Sequence, residues 1–457
     1  MSISPLHRWI TRVVDVRPQE VQALAWSFAY FFCLLAGYYV LRPLRDEMGI
    51  AGGVKNLPWL FTATFLALLA AAPVFAAVVA RLPRARFVPL VYHFFVVNIA
   101  IFWLLLTFNV EKALVARIFF VWISVFNLFA VSVFWSFMAD LFASEQGKRL
   151  FGFIAAGGSA GALAGPGITV LLAVPLGPVN LLIIAAVLLE LAVVCAHRLE
   201  AAAPQLKSPA VDPASHAPAN DSRPGGGVGG GWFDGILMVL RSPYLGGIAT
   251  WVFLLSLAGT FLYFQQANIV AAASDDPAVR TRIFATIDLA IGVLTIFVQC
   301  FATGKLIARF GVGPAAALLP LVFALGFVAL AISPALIVVI AFQAIQRTAN
   351  FAVSNPAREV LFTVVERDEK YKAKNIIDIV VFRGGDAVNG WLFSTLRGAG
   401  LELTAISLTT VPIAIGWLIL AVALGRAQER RARTVNTVSD KAAAAIRMQR
   451  RIIDAAK

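Results

Sequence analysis

Residues 358–390 read REVLFTVVERDEKYKAKNIIDIVVFRGGDAVNG, from Arg358 to Gly390. Glu366 to Lys374 is dense in charges of both signs and reads as a solvated loop or helix end. Ile376 to Gly390 is otherwise apolar, yet it carries Asp378, Arg383 and Asp386. In water such charges would mean little. In lipid each costs a few kcal/mol or more unless paired or hydrated, and so marks a pathway or a site. The solvent around this stretch therefore decides how the chain is built.

The composition names that solvent. Of 457 residues, 60% are hydrophobic and 14% charged, against about 25% charged in a soluble domain. Mean hydropathy is +0.82. Nearly uncharged spans long enough to cross a bilayer core of about 30 Å recur throughout. Backbone groups in lipid must be satisfied within the segment, so the spans are helices; the alternation of a membrane strand is missing. The first-half spans lie near 21–46, 57–80, 87–108, 113–142, 151–174 and 178–197. Those of the second half lie near 243–271, 282–306, 313–333, 335–357, 375–396 and 403–425. The expected fold is an all-α membrane protein of twelve transmembrane helices.

Four segments follow: a six-helix half over 1–200, a flexible linker over 201–241 rich in Pro, Gly, Ala and Ser, a second six-helix half over 242–425, and a basic tail over 426–457. The first span follows a charged, amphipathic start and is too long for a cleavable signal. Most of the 38 Lys and Arg residues fall in loops on the side of both termini, which puts both ends in the cytoplasm of a cell inner membrane. The net charge of +13 then reflects topology and attraction to anionic lipids of the inner leaflet, the tail lying there as a helix. Nucleic acid is not an expected partner, since aromatic and basic residues do not interleave. Cys33, Cys195 and Cys300 sit in separate spans without metal or redox spacing. There is no phosphate-cradling glycine loop, nucleophile triad or metal cluster, so neither an enzyme nor a cofactor is expected.

The halves repeat. Phe129-Ala130-Val131-Ser132 in span four recurs as Phe351-Ala352-Val353-Ser354 in span ten. The same offset carries Ala36-Gly37 onto Ala258-Gly259 and Lys148 onto Lys370. Two parallel, pseudo-symmetric six-helix halves around a long cytoplasmic loop match the major facilitator arrangement. Gly304-Lys305-Leu306-Ile307-Ala308-Arg309-Phe310-Gly311 resembles the glycine-and-basic signature of that superfamily, with Arg81, Arg84 and Arg86 in the corresponding first-half loop. The resemblance implies that spans one, four, seven and ten line a central cavity.

Candidate site residues follow from polar groups inside spans. Arg42, Arg45 and Asp46 end span one, Arg42 lying about 33 Å of helix beyond residue 20. Either the guanidinium forks bind an anionic substrate, or they anchor at the outer interface with Asp46 and Glu47 neutralising them. Their repeat partners are Phe264, Gln265 and Gln266. Span four carries Asn127, Ser132, Trp135 and Ser136. In span ten, Gln343, Gln346, Arg347 and Asn350 follow three- and four-residue steps and share one face, with Arg347 roughly 18 Å into the span, near the midplane. In span eleven Arg383 and Asp386 can pair, as a structural contact or as part of a site. Glu190 reads as peripheral, while Asp288, Asp378 or Asp386 offers a proton carrier. Lys148 and Arg149, with the repeat-related Lys370, Lys372 and Lys374, read as an inner gate of charge pairs.

Two stretches resemble the ATP:ADP antiporter family, the nucleotide transporters of plastids and intracellular bacteria: VLRPLRDEMGI at residues 40–50 and residues 358–390. Phe134-Trp135-Ser136-Phe137 and Lys148-Arg149-Leu150-Phe151-Gly152 resemble its fourth-to-fifth span region. The family's Lys-Asp falls on Arg45 and Asp46. Its Arg-x-Gly-Lys falls on Arg383, Gly384, Gly385 and Asp386, where an anion replaces the cation. Its acid in span four has no counterpart near Asn127. The resemblance implies a diverged antiporter that exchanges anionic nucleotides or other phosphorylated small molecules. The expectation is a monomeric secondary transporter or antiporter of a small organic anion working by alternating access. Open alternatives are a proton-coupled exporter of a drug or metabolite and a non-transporting membrane accessory protein.

Overall fold

The structure is a computed structural model that describes residues 16–17, 19–81, 84–142, 144–206, 232–301 and 312–455. Every regular element among them is helical. The helices are α1 (Val21–Ala51), α2 (Leu57–Arg81), α3 (Arg84–Thr107), α4 (Lys112–Leu141), α5 (Ser144–Leu176), α6 (Leu181–Leu206) and α7 (Trp232–Arg241). They continue with α8 (Pro243–Ala273), α9 (Pro277–Phe301), α10 (Val312–Ile332), α11 (Leu336–Ala349), α12 (Asn355–Leu361), α13 (Arg367–Ile376), α14 (Phe382–Gly398) and α15 (Leu403–Ala455). Among the described residues, eleven helices are long and apolar enough to cross a membrane. The twelfth expected span, 375–396, is helical, but Asp378, Arg383, Asp386 and Asn389 lower its apolarity.

The chain forms two compact units, residues 1–223 with 264–293, and 224–263 with 294–457. In the first, α1 packs against α4, α5 and α6. Its closest partner is α5, through Gly157, Gly158, Gly161 and Gly165. A Cβ at Gly161 would stand 2.4 Å from the Phe32 carbonyl oxygen, and one at Gly165 2.6 Å from that of Ala36. Two overlapping small-xxx-small motifs thus let the two backbones touch, the usual solution in lipid, where water does not drive helices together. Phe31 stacks on Phe134 at 4.1 Å. The Tyr30 hydroxyl donates to that of Tyr92 (2.8 Å), which donates to the Ala130 carbonyl (3.1 Å). Each buried hydroxyl is thereby satisfied, as a low-dielectric core requires.

In the second unit α10 lies along α15, with Gly313 against Gly425. Trp251, Trp417, Phe323, Phe327 and Phe342 fill the space beside them. On the exterior, Trp59, Phe94, Leu171, Phe297 and Ile332 are exposed. Such surfaces would aggregate in water and suit lipid.

Three boundaries differ from the sequence expectation. The linker assigned to 201–241 is helical at both ends: α6 runs on to Leu206, and α7 packs on α13, where Gly235 lies against Ile376. The tail assigned to 426–457 is helical through Ala455 but continues the last span without a break. Span ten is not one α-helix: a π-helical turn, Asn350–Ser354, separates α11 from α12, and a second, Ile377–Val381, separates α13 from α14. The first turn precedes Pro356, which has no N–H to give the preceding turn and whose ring crowds the carbonyl four residues back, inside the π-turn. The second falls in a β-branched run followed by Gly384-Gly385. The amphipathic start (1–15), the central linker (207–231) and the Gly304–Gly311 signature lie outside the described residues. So do the side chains of Arg81, Arg84, Arg86, Lys148, Cys300 and the tail beyond Arg433.

Candidate functional site

The tenth span carries a run of polar residues, Gln343, Gln346, Arg347, Thr348 and Asn350. Gln343 and Gln346 are buried, and the Gln346 amide donates to Gln343 Oε1 at 2.9 Å. Arg347 is half-buried beside them, and Thr348 contacts Thr295 of α9 at 3.4 Å between hydroxyls. Asn350 opens the π-turn. Of the four residues expected to share one face, Gln343 and Gln346 are in direct contact, Arg347 follows them on the same helix, and Asn350 lies in the π-turn that continues it. Asn127 is half-buried in α4 of the other unit.

At the end of span one the anchoring expectation holds for Asp46 and fails for Glu47. Asp46 pairs with its neighbour Arg45 (2.8 Å), and Arg45 lies over the Phe120 ring. Arg42 pairs with Asp288 of α9 at 3.5 Å and lies over Tyr39. Glu47 is taken by Arg280, at the start of α9, in a bidentate bridge with both contacts at 2.7 Å. Glu47 therefore does not neutralise the arginines of its own helix. Gln265 and Gln266, the repeat partners on α8, are buried. Arg280 falls between the expected spans seven and eight. Its partner lies 233 positions away, and nothing local announces it.

In span eleven Arg383 and Asp386 pair as their spacing allows, at 3.6 Å. Asp386 is also bound to α8, accepting from Ser256 Oγ (2.7 Å) and Thr260 Oγ1 (3.4 Å). Asn389 donates to Ser256 Oγ at 3.3 Å. Gly385 makes room: a Cβ there would sit 2.9 Å from Ser256 Oγ. The Arg383 side chain remains 50% exposed. Asp378 pairs with Arg358 of α12 at 3.2 Å.

Two of the candidate gate residues, Arg149 and Lys374, pair with acids of their own units. Arg149 bonds to the buried Glu20 at 3.0 Å, joined by Gln146. Lys374 bonds to Glu359 at 2.6 Å. Lys370 and Lys372 are half-buried on α13. Glu190, read as peripheral, is exposed beside His93 at 3.4 Å. Among the described residues, His, Cys, Asp and Glu nowhere gather in a group that could hold a metal.

No family model matches the chain, and no curated protein sequence does. Solved structures do. The crystal structure of the nucleoside transporter NupG superposes with a TM-score of 0.58 at 12% identity, covering 90% of this chain and 99% of that one. A bacterial homologue of the human lysosomal transporter Spinster, inward-facing and unoccupied, gives a TM-score of 0.56 at 14% identity over 91% and 98% of the two chains. A POT family transporter in complex with 5-aminolevulinic acid gives 0.58 at 14% identity over 89% and 96%. At such identities the likeness is one of fold. The chain is a multi-pass membrane protein with the major facilitator fold.

Proposed function

We propose that this chain is a secondary transporter that carries a small organic anion across a cell inner membrane by alternating access. The observation that carries the reading is Arg347 set among Gln343, Gln346 and Asn350 within an apolar span of a major facilitator fold. A cation at that depth is costly without a charged or hydrated partner, and its flanking amides can bind the neutral parts of an organic anion. Arg42, Arg45, Asp46 and Asn127 of the first unit and Arg383 and Asp386 of the second are further candidates for contact with the substrate. The finer reading, a diverged branch of the ATP:ADP antiporter family acting on nucleotides or other phosphorylated compounds, rests on the motifs at 40–50, 134–137, 148–152 and 358–390. Both termini are cytoplasmic, the protein works as a monomer, and its basic tail meets anionic lipid.

The test is uptake of labelled ATP, ADP and small phosphorylated compounds by intact cells expressing wild type or Arg347→Ala. Saturable exchange that disappears in the variant supports the reading. No flux for any anion tested sinks it and leaves a membrane accessory protein.

The Arg42–Asp288 pair favours a second reading. A carboxylate that alternates between an arginine and a proton can couple transport to proton entry. That exporter would stop when an uncoupler collapses the proton gradient, whereas a nucleotide exchanger would continue.

A further inference from the structure

The polar face of the tenth span continues past Arg347. Gln343, Arg347, Asn350, Ser354 and Arg358 follow one another at three- and four-residue steps and so form one column along the helix. Its upper member Gln343 is satisfied, its Oε1 accepting from the Gln346 amide. Its lower members are not. Asn350 Oδ1, Ser354 Oγ and Arg358 Nε are buried, and each lacks a hydrogen-bond partner.

Local structure explains why. Ser27, Thr169, Thr281 and Thr410 each donate to the carbonyl four residues back along their helices. Ser354 ends the π-turn, where the carbonyls are re-registered, and its hydroxyl loses that default acceptor. Leaving one buried polar atom unpaired costs about 1–3 kcal/mol, so three within nine residues of one face are a feature to be explained. The Asn350 amide presents either its oxygen or, after a half-turn, its nitrogen.

Arg358 is held on one side only. Its Nη1 meets Asp378 Oδ1 at 3.2 Å, one nitrogen on one oxygen. This differs from the two-pronged grip of Arg280 on Glu47. The neighbouring carboxylate, Glu359, is occupied by Lys374. A guanidinium presents five N–H groups in a fork that matches an oxyanion. The Nε edge of Arg358, with the Ser354 hydroxyl four residues before it, is the unclaimed part of that fork.

From this geometry we infer that Arg358, with Ser354 and Asn350, is a second binding station for an oxyanion, phosphate or carboxylate, with Asp378 as the competing anion. The inference rests on the transporter reading above. Asp378, on the π-turn of the next span, neutralises Arg358 when substrate is elsewhere. It also keeps the station weak enough to release what it binds.

The test uses the purified full-length chain in dodecyl maltoside, with inorganic phosphate in one arm and succinate in the other. The half-saturating concentration is read from the ligand-dependent rise in unfolding temperature. Asp378→Asn lowers that concentration about tenfold, which corresponds to about 1.4 kcal/mol. Arg358→Gln raises it at least tenfold, and Arg358→Lys, which keeps the charge and stem, falls between. Response to one anion only identifies the headgroup. Response to neither overturns the inference. So does a lower unfolding temperature in Asp378→Asn and Arg358→Gln with saturation unchanged, the result expected of a purely structural pair. If Arg347→Ala abolishes uptake while saturation is unchanged in the Arg358 and Asp378 variants, the transporter reading stands and this inference falls. If the station responds as stated but no anion is taken up, the transporter reading fails instead.

Discussion

Glu47 and Arg280 are joined by a two-pronged salt bridge, with Arg280 Nε on Glu47 Oε2 and Nη2 on Oε1, both at 2.7 Å. Their side chains are 1% and 10% exposed. Arg280 Nη1 also donates to the carbonyls of Ser274 and Asp275, so the guanidinium is engaged on every side. The bridge ties the end of the first span to the start of the eighth.

Removing one partner strands a buried charge, which typically costs about 3–5 kcal/mol. Glu47→Gln and Arg280→Gln should each lower the unfolding temperature of the detergent-purified protein markedly, and the double variant should cost less than the sum. A double-mutant cycle measures the coupling. Additive losses would show that the bridge contributes nothing as a pair.

Arg42 and Asp288 make a looser contact, 3.5 Å at a single oxygen. Asp288→Asn removes the countercharge from an intramembrane arginine, and Arg42→Gln does the converse. We expect either change alone to reduce stability by about 2–4 kcal/mol and the combined neutral pair to recover at least half, because no charge is then left buried. Chemical denaturation monitored by Trp fluorescence supplies the comparison.

Gly157, Gly158, Gly161 and Gly165 of α5 leave no room for side chains. Gly161→Val would drive a methyl group into the Phe32 carbonyl, 2.4 Å from where its Cβ must sit. The two helices would have to separate, and overpacking of this kind costs about 1–3 kcal/mol or more. We expect Gly161→Val to accumulate poorly in membranes, while Gly167→Val, where a Cβ meets nothing within 4 Å, accumulates normally. Equal yields would contradict the packing account.

Asp386 and Arg383 should separate in their effects. Asp386→Ala removes the acceptor of Ser256 and Thr260 and should cost about 2 kcal/mol. Asp386→Asn keeps an oxygen there and should cost about 1 kcal/mol. Arg383→Ala, at a half-exposed side chain, should cost under about 1 kcal/mol. A large loss of uptake in Arg383→Ala with stability intact would then report substrate contact.

Much of the fold was legible because lipid imposes one simple rule: each span must be long, apolar and helical. The polar face of span ten was legible too, since Gln343, Gln346, Arg347 and Asn350 are neighbours on one helix. The pair Arg383–Asp386 was legible for the same reason. Arg42–Asp288, Glu47–Arg280 and Arg149–Glu20 were not, because their partners are far apart in the chain and several charges compete for each. The π-turns were also hidden. The repeat Phe-Ala-Val-Ser is α-helical at 129–132 and π-helical at 351–354, so four identical residues take two geometries. The following Pro356 was the signal that separates them.

By itself the sequence determined that this chain is a set of membrane helices, roughly where each begins, and which spans carry charge. Those properties are local, fixed by hydropathy and helical period. Only the tertiary structure decided what the charges do. It gave Glu47 to Arg280 and Asp288 to Arg42, and it left Arg358 gripped by Asp378 on one edge alone. In a low-dielectric interior the outcome depends on which partner comes within about 4 Å, and that distance is set by the packing of helices remote in the chain.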